Sequence, residues 1–130
     1  MSCQLVVDVV QPLRWHSLAK RTMVAVSDQN SQALDDAVSH IRAAGGASHG
    51  FQTDLADLES MSAMVEDVRR TIGDPHILIN NSGGPLPSLT ADVAPQQRRN
   101  QFDSIVVSLM HLTDLLLRAM KQRRLKQRRA

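Results

Sequence analysis

The tetrad Asn80-Asn81-Ser82-Gly83 follows the apolar run Ile77-Leu78-Ile79. At the carboxyl end of a strand, Asn amides can satisfy backbone groups of neighbouring strands, and a glycine lets the backbone approach a ligand closely. Two carboxylates follow other candidate strands, Asp28 after Met23-Val24-Ala25-Val26 and Asp54 after the segment Ala47 to Gln52. Taken singly, Asp28 reads as a turn or cap residue, Asp54 as a solvated loop acid, and Asn80-Asn81 as ordinary turn chemistry. Other chemistry finds less support. The chain has no Tyr, which excludes a phenol as general acid. The histidines His16, His40, His49, His76 and His111 have no His or Cys partner at metal-ligand spacing, so no metal site is expected. Cys3 is the single cysteine, with no disulfide partner and no evident activating base.

The elements that must position these residues alternate between short apolar runs and helical patterns, the signature of βαβ units and an α/β fold with a parallel sheet. The run Met23 to Val26 reads as a buried strand. Asn30 or Ser31 caps a helix whose apolar face is Ala33, Leu34, Ala37, Val38, Ile41 and Ala44, stopped by Gly45-Gly46. A weaker strand covers Ala47 to Gln52. Asp57 caps a second helix with Leu58, Met61, Met64, Val65, Val68 and Ile72 facing inward, and Gly73-Asp74-Pro75 ends it. His76 to Asn80 is the clearest strand. After a loop holding Pro85, Pro87 and Pro95, a long helix is predicted from about Gln97 to Met120, its apolar face being Phe102, Ile105, Val106, Leu109, Leu112, Leu116 and Met120. The start fits least well. Leu5 to Val10 could be a strand, yet only Gln11 to Arg21 separate it from the next, near the lower limit for a parallel crossover with a helix.

A chain of 130 residues with 42% hydrophobic residues can bury the core of a single domain, built here from Leu, Ile, Val, Ala and Met because aromatic residues make up 2%. No apolar run reaches membrane-spanning length and no signal-peptide pattern opens the chain, so a cytoplasmic protein is expected. The net charge of +2 is uneven. Arg118 to Ala130 holds seven of the fifteen Lys and Arg residues and no acid. This basic tail reads as a solvated, frayed end. Without interleaved aromatic residues or a nucleic-acid motif, nucleic-acid binding is the weaker reading.

Taken in order, these segments resemble the short-chain dehydrogenase/reductase family. Ile77-Leu78-Ile79 with Asn80-Asn81-Ser82-Gly83 is similar to the family's Asn-Asn-Ala-Gly signature, and Gly84-Pro85 continues it toward a subgroup reading Asn-Asn-Ser-Gly-Gly-Pro. Ile-Arg-Ala-Ala-Gly-Gly at Ile41 to Gly46 is typical of the family, and Phe102 to Met120 resembles its interface helix. The resemblance covers roughly Ser17 to Arg124. It implies a Rossmann-type sheet flanked by helices, with ligands outside the carboxyl ends of the strands. It also implies cofactor-binding roles for Asp28, Asp54, Leu55, Asn80, Ser82 and Gly83. Asp28 would accept hydrogen bonds from the adenosine ribose and repel a 2′-phosphate, implying NAD rather than NADP, and Asp54-Leu55 would bracket the adenine.

The same resemblance exposes what is missing. The family's Gly-x-x-x-Gly-x-Gly phosphate loop has no counterpart, because Leu5 to Arg21 contains no glycine and Leu13, Arg14, Trp15 and His16 stand there instead. The family's Ser and Tyr-x-x-x-Lys segments are absent, and its helix Asn aligns with Ile105. No catalytic residue is therefore assigned. The expectation is one Rossmann-like NAD(P)-binding domain over 1–130, truncated at both ends, with a poorly matched start at 1–16 and a basic tail at 121–130. Three functions compete. One is a remnant of an NAD(P)-dependent oxidoreductase, inactive alone. Another is an interaction module pairing with itself or an intact homologue through Phe102 to Met120. The third is a basic-tail nucleic-acid binder. The sequence does not disclose a substrate.

Overall fold

The computed structural model describes residues 4–9, 23–81 and 92–129. In chain order the elements are β1 (Gln4–Val9), β2 (Met23–Asp28), α1 (Ser31–Ala43), β3 (Ala47–Gln52), α2 (Leu58–Thr71), β4 (Ile77–Asn81), α3 (Pro95–Phe102) and α4 (Ser108–Arg129), with a π-helical turn at Asp103–Val107 joining the last two. Local chemistry fixes most boundaries. The Asn30 side chain accepts the Ala33 N–H at 3.1 Å and so caps α1. Gly45, at φ 86°, takes the left-handed conformation that ends it. Asp57 Oδ1 accepts the N–H groups of Glu59 and Ser60 at 3.0 and 3.2 Å and caps α2. Pro95 opens α3 at a position whose N–H needs no partner.

The strands form one sheet in the order β3-β2-β1-β4. Strands β2 and β3 are parallel. The α/β, partial Rossmann-type architecture expected from the sequence is present, with one correction to the parallel sheet. Strand β1 lies in the middle, antiparallel to both β2 and β4. Two parallel neighbours need a crossover of a dozen or more residues, usually a helix, whereas an antiparallel pair needs only a turn or loop. The thirteen residues from 10 to 22 are long enough for either connection, so the pairing of Val7 with Ala25 and Leu78, not the length, sets the direction of β1.

Alternation along the strands sorts the helices onto two faces. Ala25 and Phe51 face α2 and α4, where Met61, Met64, Val65, Val68, Leu112 and Leu116 close the main core. The other face carries α1, whose Leu34 and Val38 lie against Gly50 of β3. A Cβ on Gly50 would come within 2.9 Å of Leu34 Cγ, closer than packed side chains allow. Gly50→Ala is therefore expected to cost about 1–3 kcal/mol through overpacking. A denaturant midpoint unchanged from wild type would show that α1 does not press on β3.

Arg69 ties α2 to α4. It donates to Glu66 Oε1 at 2.7 Å, to Asp74 Oδ1 at 2.8 Å and to the Leu115 carbonyl at 2.8 Å. Burial disfavours its charged form, but the bonds to Glu66 and Asp74 outweigh that and hold its pKa above the usual arginine value.

The long helix departs from the expected single face. Leu112 and Leu116 are in the core as expected, while Phe102 and Val106 of that face are exposed; Met110 and Leu117, outside it, are exposed too. The turn at Asp103–Val107 is wider than an α-helical turn, so residues before and after it do not share one 3.6-residue register. Leu58, expected to face inward, is also exposed in the first turn of α2. Helix α4 runs through the basic residues to Arg129.

Candidate functional site

The register brings the carboxyl ends of three strands to one edge of the sheet. Val7 pairs with both Ala25 and Leu78, which puts those two residues on one level. Three positions along, Gln4 pairs with Asn81, and Asp28 stands at the same level while pairing with Gln52 on its other side. Asp28, Asn80 and the turn beginning at Thr53 therefore gather at one end of the sheet. Ligands of open α/β sheets bind at such an edge.

The individual side chains are less open than the edge itself. Asp28 is only 2% exposed, and its Oδ1 accepts the Asn30 N–H at 2.8 Å, holding the entry to α1. A ribose reaching this carboxylate requires that entry to open. Asp54 is exposed and accepts the Ala56 N–H at 2.9 Å, forming a local turn. Leu55 packs against the core cluster. The Asn80 amide points to α4 and donates to Thr113 Oγ1 at a long 3.4 Å. Ser82 and Gly83 lie outside the described residues.

The reversal of β1 bears directly on phosphate binding. A loop following the first strand of a parallel sheet would reach the edge that holds Asp28. Here Val9, the last residue of β1, pairs with Met23, the first of β2. The chain leaves β1 at the opposite end of the sheet, and the edge beside Asp28 receives the start of β1 at Gln4. The residues present do not fit an intact dinucleotide. The sheet edge is in place, but the glycine turn that would cradle a pyrophosphate is missing in sequence and displaced in topology. Ile105, in line with the family's helix Asn, lies in the π-helical turn and offers no polar atom from its side chain.

Several polar groups near the edge escaped the sequence reading. Thr53 Oγ1 and Ser60 Oγ are 3.1 Å apart, joining the end of β3 to α2. Ser27 Oγ is buried without a hydrogen-bond partner among the described residues. Ser62 Oγ lies 3.0 Å from His111 Nε2 across the α2–α4 contact. That pair has the residue types of a nucleophile and a base. However, the Leu58 carbonyl lies at the same 3.0 Å from Ser62 Oγ and competes with His111 for its hydroxyl hydrogen, the ordinary back-bond of a helical serine. No spacing rule links positions 49 residues apart, which is why the pair was not legible. Among the described residues no group of three or more His, Cys, Asp and Glu could hold a metal, and no helix is long and apolar enough to cross a membrane.

The family model described as short chain dehydrogenase matches residues 16–127. A ketoacyl reductase of Nostoc sp. is 29% identical over 108 residues, covering 82% of this chain and 38% of the relative. The 7alpha-hydroxysteroid dehydrogenase of Escherichia coli is 29% identical over 99 residues, covering 76% of this chain and 38% of that protein. Among solved structures, L-sorbose reductase from Gluconobacter frateurii, complexed with NADPH and L-sorbose, aligns with a TM-score of 0.72 at 23% identity, over 82% of this chain and 41% of that one. A 7alpha-hydroxysteroid dehydrogenase complexed with NADH and 7-oxo glycochenodeoxycholic acid aligns at 0.69 and 28% identity, over 76% of this chain and 38% of that one. The chain thus spans well under half the length of these relatives.

Proposed function

The chain belongs to the short-chain dehydrogenase family, and on that premise we propose that these 130 residues are the nucleotide-facing part of an NAD(P)-dependent oxidoreductase unit and transfer no hydride on their own. The observation that carries the reading is the direction of β1. It leaves the carboxyl edge of a dinucleotide-binding sheet in place while sending the chain after β1 to the other end. The absence of Tyr supports the second half, because the family's acid/base group is then lacking. In this reading Asp28, Asp54, Leu55, Asn80, Ser82 and Gly83 are the nucleotide-facing positions. Recognition that remains favours NAD over NADP, since a carboxylate at Asp28 opposes a 2′-phosphate. The single thiol suits a reducing compartment, and the cytoplasm is the proposed location.

Affinity is expected to be poor. A dissociation constant of about 10 mM would stabilise the folded chain by under about 0.1 kcal/mol at ~1 mM ligand. The thermal transition should therefore stay in place with NADH at ~1 mM, and a rise at ~10 mM should be larger for NADH than for NADPH. NADH should not be consumed in the presence of ketone substrates. A transition raised by more than about 3 °C at ~1 mM NADH, or steady NADH oxidation, would overturn the proposal.

A second role is favoured by a separate observation. Phe102, Val106 and Met110 expose apolar surface where α3 passes through the π-helical turn into α4. This is the surface through which the chain would pair with a second copy or an intact homologue.

A further inference from the structure

At the end of the sheet opposite the nucleotide-facing edge, the start of β4 meets the last turns of α4. Pro75, His76, Leu117, Met120, Lys121, Arg123 and Arg124 line a half-open cavity of about 500 Å³ there. This is within the range of small-molecule sites, about 300–1,000 Å³. Its chemistry is divided. Pro75, Leu117 and Met120 supply an apolar floor, and Lys121, Arg123 and Arg124 supply three cations. No lining side chain is acidic. Asp74, the nearest acid in sequence, is held by Arg69 at 2.8 Å.

Arg123 is already oriented. Its Nη1 lies 2.9 Å from His76 Nε2 and 3.4 Å from Nδ1, which places one arm of the guanidinium against the imidazole just before β4. An arginine held in this way offers its remaining N–H groups as a planar fork for a carboxylate or phosphate. Lys121 and Arg124 are exposed lining residues whose aliphatic stems can extend the apolar wall with their heads in water. Leu117 is exposed at the mouth, an apolar contact waiting for an apolar occupant.

We infer that this cavity binds an amphiphilic anion, a single carboxylate or phosphate head on a flexible apolar chain, with the head on Arg123, Arg124 and Lys121 and the chain on Leu117, Met120 and Pro75. The site is independent of the nucleotide-facing edge and of the exposed stripe that begins at Phe102.

The test uses the full 130-residue chain, ¹⁵N-labelled, titrated with decanoate, decyl phosphate, decanol and acetate below micellar concentrations. Decanoate or decyl phosphate should shift amide signals of residues 76 and 117–124, and the tighter of the two identifies the head group. Decanol, which lacks the charge, and acetate, which lacks the chain, should each bind at least tenfold more weakly. Arg123→Gln should weaken binding of the preferred anion at least tenfold. Should that variant lose its fold, Lys121→Gln combined with Arg124→Gln, both at exposed positions, should do the same. Equal binding of decanol and decanoate would mean a general apolar patch and would overturn the proposal. So would acetate matching decanoate, unchanged affinity in the charge variants, or shifts confined to residues 102–110.

Discussion

Leu116→Ala is expected to destabilise the chain by about 2–5 kcal/mol, the range for a fully buried leucine cut back to its Cβ. Leu116 is 1% exposed and belongs to the cluster in which α4 closes over α2 and Ala25 of β2. That cluster contains no aromatic ring among its buried members. Met61 and Met64 can move partway into the space left behind, but the helix backbone that carried Leu116 is also anchored by the Arg69 bond to the Leu115 carbonyl, which limits collapse. A domain of this size is stable by only about 5–15 kcal/mol. At roughly 3–6 °C per kcal/mol, the melting temperature should fall by about 6–30 °C. Leu117→Ala, one residue along and exposed, should change it by about 1 °C or less. Circular dichroism melts of the two variants decide the matter. Equal, small effects would mean that α4 is not docked on the sheet, and the division of its apolar residues between core and surface would be wrong.

That division shows where a sequence stops being informative. The caps at Asn30 and Asp57, the left-handed stop at Gly45 and the strands ending near Asp28, Gln52 and Asn81 follow from chemistry within a few residues of each position, and they were legible. The direction of β1 was not. Its pattern, Leu5-Val6-Val7, suits a central strand running either way, and only its pairing with Ala25 and Leu78 settles the choice. The turn at Asp103–Val107 leaves no periodic signature, yet it rotates Phe102 and Val106 out of the stripe that contains Leu112 and Leu116. The site residues divide in the same way. Asp28 was placed correctly at the end of its strand, but its 2% exposure depends on what packs around it, which no spacing discloses.

Met110→Asp is expected to abolish self-association while leaving the fold intact. Phe102 is 57% exposed and Met110 64%, with Val106 also exposed in the π-helical turn between them. A contiguous apolar stripe of this kind is the usual mark of a contact surface. If two copies pair about a two-fold axis, each substitution enters the interface twice. A buried anchor contributes about 2 kcal/mol or more, so the doubled loss approaches 4 kcal/mol and weakens the dimer about a thousandfold. The choice of residue matters. A charge at Leu112 or Leu116 would disrupt the main core, and the resulting loss of association would report unfolding instead of a broken interface. Met110 is exposed and outside the core cluster, so the melting temperature of the variant serves as the control. Sedimentation velocity of wild type and Met110→Asp over a range of concentrations reads the outcome. A dimer in the wild type that becomes a monomer in the variant, with an unchanged melt, assigns the stripe to self-pairing. A wild type that stays monomeric throughout removes self-pairing and leaves the intact homologue as the partner to test by the same substitution. A dimer that survives Met110→Asp and Phe102→Asp together rules out the stripe as the interface for self-pairing.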